Sequence, residues 1–155
     1  MTGAPKPRAP KSLAARAIGL LARREYARPE LRDKLLATGA AADEVDPVLD
    51  DLAAKGYLSD LRFAHALVRQ KQGTHSRRSI AQALKARGVA FDDATEALAG
   101  TDADDAATLV ALWRRRFGRA PADDRERARQ VRFLQSRGFG LSAILKLLRD
   151  PPEDA

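Results

Sequence analysis

The chain has 155 residues, with 28 Lys and Arg against 21 Asp and Glu, a formal charge of +7, and no cysteine. That length suits one domain or a few small repeats and leaves little room for an enzyme with separate substrate and cofactor domains. Disulfides, thiolate catalysis and Cys-based zinc sites are excluded, and no run of about 18 apolar residues is present to span a membrane. Residues 1–11 are polar with three prolines and read as a flexible tail. The apolar stretch 13–22 would mimic a secretory leader, but Arg16 interrupts it. The cytoplasm is therefore the expected compartment. The positive excess points to a polyanionic or acidic partner.

Composition favours helix. Alanine supplies 31 residues and leucine 20, while Val, Ile and Thr together supply 15; the first two suit helices and the last three suit strands. Gly39, Gly88 and Gly138 are spaced by 49 and 50 residues, which marks an internal repeat. The first unit, 12–57, has a helix through Ala14 and Ile18. Its second helix has Pro29 in the first turn, continues through Leu31 and Leu35 and stops at Gly39. The third runs through Val45 and Leu49 to Gly56. The second unit, 58–100, repeats this with Phe63 and Leu67, then Ile80 and Leu84 before Gly88, then Ala94 and Leu98. Thr74 and Ser76 are its candidate caps. The third unit, 101–150, has Trp113 and Phe117, then Asp123 with Glu126 as a capping box. Val131 and Leu134 follow before Gly138, then Ile144 and Leu148; residues 151–155 form a tail. Glycine after each second helix is the expected left-handed stop. The predicted fold is all-α: three tandem three-helix repeats forming an elongated, curved molecule in which neighbouring units support one another.

The charge is segregated. Residues 61–91 hold no acid, whereas 43–60 and 92–105 hold six acids each, and 114–137 hold nine arginines against three acids. In the second unit Arg78, Gln82 and Lys85 fall opposite the buried Ile80 and Leu84. In the third, Arg125, Arg129, Arg132 and Ser136 fall opposite Val131 and Leu134. A solvated helix face explains such strips as readily as a ligand does. Arginine outnumbers lysine 21 to 7, which suits bidentate contacts to phosphate or carboxylate. Helix dipoles compete as the reason for Arg87 and Arg137.

Catalytic chemistry finds little support. His65 and His75 are ten apart, off one helical face and without Cys, so no metal is expected. Ser59, His65 and Asp60 lack a nucleophile elbow. No P-loop or G-x-G-x-x-G is present, so no nucleotide cofactor is expected. Phe63, Trp113, Phe117 and Phe133 stand at core positions, while Phe139 is either a helix-end contact or an exposed anchor.

Four segments together resemble the RecX family of regulatory proteins. Gly56-Tyr57-Leu58-Ser59-Asp60 with Arg62-Phe63-Ala64 is similar to that family's G-Y-L-[ND]-D-x-x-F-A. Arg28-Pro29-Glu30-Leu31 is similar to its R-x-E-L. The segment from Ile80 to Gly88 resembles I-x-x-E-L-x-x-K-G, with Ala83 and Arg87 as departures. Arg132-Phe133-Leu134-Gln135-Ser136-Arg137-Gly138-Phe139 resembles R-F-L-x-x-R-G-F. Ser59 departs from the first motif. The resemblance spans 12–149. It implies tandem three-helix units without catalytic activity. The implied partner is the RecA recombinase and its filament on single-stranded DNA, along whose groove such proteins lie. The implied effect is inhibition of strand exchange, ATP hydrolysis and co-protease activity. It also marks Gly39, Gly56, Tyr57, Asp60, Phe63, Gly88, Phe133, Leu134, Arg137, Gly138 and Phe139 as motif positions.

On this reading the outward contacts are Arg78, Lys85, Arg125, Arg129 and Arg132, supported by Arg69, Lys71 and Arg77, in a protein expected to be monomeric. Several weak contacts along a filament would add avidity. The alternative is a DNA-binding helical module independent of RecA, such as a helix-turn-helix regulator. Against it, Asn is absent from the chain and no dimerisation heptad is visible.

Overall fold

Helix periodicity and glycine stops lay out the observed chain. The structure, a computed structural model, describes Gly3 and residues 11–153; the expected N-terminal tail falls mostly outside them. Nine helices and no strand occur among the described residues. They are α1 (Leu13–Leu21), α2 (Arg28–Leu36) and α3 (Ala42–Ala54), then α4 (Asp60–Lys71), α5 (Arg77–Ala86) and α6 (Phe91–Ala99), then α7 (Asp105–Arg116), α8 (Asp124–Ser136) and α9 (Leu141–Arg149). None is long and apolar enough to cross a membrane. Helices of 9 to 13 residues are marginal alone in water, so tertiary burial must hold them. The chain groups into two compact units, Met1–Asp60 and Leu61–Ala155.

In the first unit α1 packs on both α2 and α3, and α2 packs on α3. The core is Ala17, Tyr26, Leu31, Leu35, Val45, Leu49, Leu52 and Leu58, each large aliphatic contributing about 1.5–3 kcal/mol on burial. One expected position differs. Ile18 is 42 % exposed, and Ala17 is the buried residue of α1, with Leu13, Leu20 and Leu21 packed beside it.

In the second unit α5 packs on α6, α8 on α9, and α7 on α9. Phe63, Leu67, Ile80, Leu84 and Val89 are buried in its first half. Leu109, Leu112, Trp113, Leu134, Phe139, Ile144, Leu147 and Leu148 form the core of its second half. The apolar partner expected opposite Leu134 is different in kind. Gln130 occupies the column of Leu31 and Ile80 and is buried, while Val131 packs at the margin of the cluster. The reason is Trp113, whose indole Nε1 donates to Gln130 Oε1 at 3.0 Å; the Gln130 amide in turn donates to the Arg119 carbonyl at 3.1 Å. A buried indole N–H needs an acceptor, and an apolar residue supplies none. Gln130→Leu keeps the size and orphans both groups, so it should cost roughly 1–3 kcal/mol, read as a lowered urea midpoint by Trp113 fluorescence.

The caps follow the chemistry of the ends. Ser76 Oγ accepts from Ser79 N at 3.1 Å and caps α5, whereas the Thr74 hydroxyl donates to the Lys71 carbonyl at the end of α4 and does not cap α5. Asp123 accepts from Glu126 N, and Glu126 reaches back to Ala122 N, each at 2.8 Å. Gly39, Gly56, Gly88 and Gly138 all have positive φ. After Gly88 and Gly138 the next residue donates back to the helix, Val89 to Leu84 O at 3.1 Å and Phe139 to Leu134 O at 3.3 Å. Phe139 is buried and is a helix-end contact.

Two helix starts are satisfied in the same way from further along the chain. The first amide of α2, on Arg28, donates to Asp60 Oδ1 at 2.8 Å, and the first amide of α5, on Arg77, donates to Asp105 Oδ1 at 3.0 Å. Both carboxylates open a following helix, α4 and α7. Each satisfies an orphan N–H where the helix dipole is positive. This gives Asp60 of the glycine-tyrosine motif a structural reason to be acidic.

Candidate basic interface

The strip on α8 is built by spacing alone. Arg125, Arg129 and Arg132 recur at intervals of four and three, so they share one helical face. All three are exposed, and none of their guanidinium groups joins an ion pair among the described residues. Arg129 also lines a hollow of about 450 Å³ with Arg116 and Arg119. Neither Arg116, at the end of α7, nor Arg119, in the link after it, belongs to the α8 spacing; the tertiary fold brings them to α8. The one carboxylate there, Glu126, is held by the Ala122 amide. An aromatic base braces the adjoining surface. Phe133 meets Phe117 edge-on at 5.5 Å, with the Arg137 and Arg116 guanidinium carbons 4.8 and 5.1 Å from its ring centre. Arg137 is thereby a packing partner of Phe133, with stacking available to a planar cation over a ring.

In the second repeat Arg78 and Lys85 are both exposed and line a groove between α5 and α6. Arg69 is exposed near the end of α4, and Lys71 is half-buried. Arg77 is already engaged. Its guanidinium donates to Leu98 O at 2.9 Å and to Thr101 O at 3.2 Å, closing the C-terminal end of α6. That is the pairing a cation makes with unsatisfied helix carbonyls. The basic strips of α5 and α8 are therefore alike in kind but not position for position: Arg78 and Lys85 correspond to Ala128 and Gln135 in the 50-residue register.

The motif residues divide by burial. Phe63 and Leu134 are buried, while Tyr57 is 52 % exposed at the turn after Gly56. Among the described residues no group of three or more His, Asp or Glu is placed to hold a metal. His75 lies just before the buried Ser76, with Thr74 Oγ1 2.9 Å from its Nδ1. Partial burial, with Lys71 and Arg137 near, holds its pKa below the ordinary imidazole value. The folded state thus resists the proton that the unfolded chain accepts near pH ~6.5. Stability should be complete above that pH and fall as pH drops from there toward the folded pKa. Denaturant midpoints measured from pH 5 to 8, as rough limits, should show this slope in the wild type and lose it in His75→Gln.

The chain matches three family descriptions in order: "RecX, first three-helix domain" over residues 15–52, "RecX, second three-helix domain" over 59–98, and "RecX, third three-helix domain" over 103–148. It is 41% identical over 149 residues to the regulatory protein RecX of Ralstonia pickettii, covering 96% of this chain and 94% of that one. With the regulatory protein RecX of Chromobacterium violaceum it shares 44% identity over 144 residues, covering 93% of each. The crystal structure of RecX from Lactobacillus salivarius has the same fold, with a TM-score of 0.68 at 21% identity, over 89% of this chain and 93% of that one.

Proposed function

The chain belongs to the RecX family of regulatory proteins, and from that premise we propose that it binds the RecA recombinase filament on single-stranded DNA and inhibits its ATP hydrolysis, strand exchange and co-protease activity. The observation that carries the physical half of this reading is the α8 strip. Three exposed arginines share one face and join no ion pair among the described residues, and one of them, Arg129, lines a hollow with Arg116 and Arg119. Arginine presents a rigid fork of donors that matches phosphate oxygens. The recombinase as partner comes from the family resemblance. Arg78 and Lys85 form the second contact, with Arg69 and Lys71 supporting it. Arg77 is the weakest member of the set, because its guanidinium already donates to the Leu98 and Thr101 carbonyls at the end of α6. The protein acts inside the cell, where that filament forms, and modulates it without chemistry of its own.

The test is affinity for labelled single-stranded DNA with and without RecA and ATP, over a range of salt, beside RecA's ATP hydrolysis. Tighter association in the presence of the filament, together with slowed hydrolysis, is the expected result. Affinity indifferent to RecA would favour the DNA-binding module instead, since phosphate contacts alone would then account for the binding.

A further inference from the structure

The three repeats treat one pair of positions in three ways. In the first, Arg32 on α2 and Asp46 on α3 form a 2.8 Å ion pair across the two helices. Their hydrogen bond lowers the Asp46 pKa and raises that of Arg32. At the same places in the 49- and 50-residue register, the second repeat has Ala81 and Thr95 and the third has Val131 and Leu145. A charged clasp spans the first pair of helices, and larger apolar side chains stand in the third. Only small side chains stand in the second, and there a groove of about 610 Å³ lies open.

The groove has a definite chemistry. Its floor and α6 wall are Ala81, Val89, Ala94 and Leu98, its α5 rim carries Arg78 and Lys85, and Phe91 stands at its edge. Phe91 is 82 % exposed, an arrangement that costs hydration free energy in the free protein and returns it when a partner covers the ring. Leu141, 47 % exposed, lies in a second hollow that Arg78 and Gln82 also line. The two exposed large hydrophobics of this unit therefore flank one ridge of α5.

We propose that the α5–α6 groove docks an acidic amphipathic segment of a partner protein, with Phe91 against its apolar face and Arg78 and Lys85 on its carboxylates. The proposal rests on the filament reading and divides its surfaces: α5 and α6 meet the protein component, and α8 meets phosphate. The lining decides between the two kinds of occupant. Cations stand only on the α5 rim, whereas the α6 side of the groove is lined by Phe91, Ala94, Thr95 and Leu98. A nucleic-acid backbone, charged along its whole length, leaves that largely apolar side without a partner. A segment charged on one flank and apolar on the other matches both sides. An amphipathic segment laid into a two-helix groove is also a recurrent mode of recognition.

The test restores the clasp of the first repeat. In the full chain, Ala81→Arg with Thr95→Asp closes the groove while sparing Arg78, Lys85 and Phe91 and leaving net charge unchanged. Phe91→Ser is the second variant; its exposed ring contributes little to folding, so it stands if the clasped protein proves unstable by circular dichroism. Both variants should need at least about tenfold more protein for half-inhibition of RecA's ATP hydrolysis, with single-stranded DNA affinity within about twofold of wild type. Wild-type inhibition by both variants overturns the proposal. So does a matching loss of DNA affinity, which would make nucleic acid the occupant. A wild-type protein without effect on RecA's hydrolysis is a separate result: it overturns the filament reading itself and removes this partner with it.

Discussion

Gly138→Ala is expected to destabilise the second unit by roughly 3 kcal/mol or more, as the sum of backbone strain and overpacking. Gly138 has φ +91°, where an L side chain is strained, and a Cβ built there falls 2.4 Å from both Ser76 Oγ and Ser79 Cβ. Neither atom can retreat cheaply. Ser76 is 2 % exposed, its hydroxyl caps α5 through Ser79 N, and its own N–H donates to the Arg137 carbonyl at 2.9 Å. The same glycine thus ends α8 and admits the start of α5. Gly39 is the internal control: φ is +94°, with nothing within 4 Å of its Cβ position. Gly39→Ala should cost only the left-handed strain, about 1–2 kcal/mol. The single tryptophan, Trp113, is buried in the second unit, so its fluorescence follows Gly138→Ala directly, and circular dichroism follows Gly39→Ala. Equal midpoint shifts for the two variants would refute the packing account.

The two glycines show where sequence reading stops. Their spacing revealed the repeat and the left-handed stops, because both follow from local backbone geometry and a fixed period. That one of them also touches Ser76 is a tertiary fact, and nothing in the period distinguishes Gly138 from Gly39. Gln130 teaches the same lesson. Its column predicts an apolar residue, and Val131 next to it satisfies the eye, yet the buried place goes to the amide that Trp113 requires. A buried indole is a signal that an acceptor must be near, though it does not say which residue supplies it. Arg77 looked like one more basic residue in an acid-free stretch, but its donors close α6. Phe91 ended that stretch without drawing notice, because exposure of an aromatic at a helix start is decided by its neighbours. The exposed arginines of α8 were legible since i, i+4, i+7 spacing opposite an apolar face fixes which way they point. The recombinase as proposed partner is a different kind of inference: it comes from the four motifs and their order, and no charge pattern would have chosen it.

Reversing the α8 strip, Arg125→Glu, Arg129→Glu and Arg132→Glu together, should reduce affinity for single-stranded DNA at least about a hundredfold at ~50 mM salt. All three side chains are exposed and none has an ion-pair partner among the described residues, so the variant should fold and melt close to wild type. Glutamate at 125 even sits favourably in the first turn of α8, where the helix dipole welcomes negative charge. The salt dependence is the sharper readout. Each phosphate neutralised on a single strand contributes about 0.7 to the slope of log affinity against log salt, so losing three contacts should flatten it by about 2. The triple Arg→Lys variant separates charge from geometry: it should keep the slope and lose affinity only in part, because lysine retains the charge without the bidentate fork. An unchanged slope in the glutamate variant would mean that α8 does not touch phosphate, whatever happens to RecA's hydrolysis. A flattened slope with inhibition of RecA intact would mean that DNA contact is real but dispensable. The protein-facing groove of α5 and α6 would then carry the regulation alone.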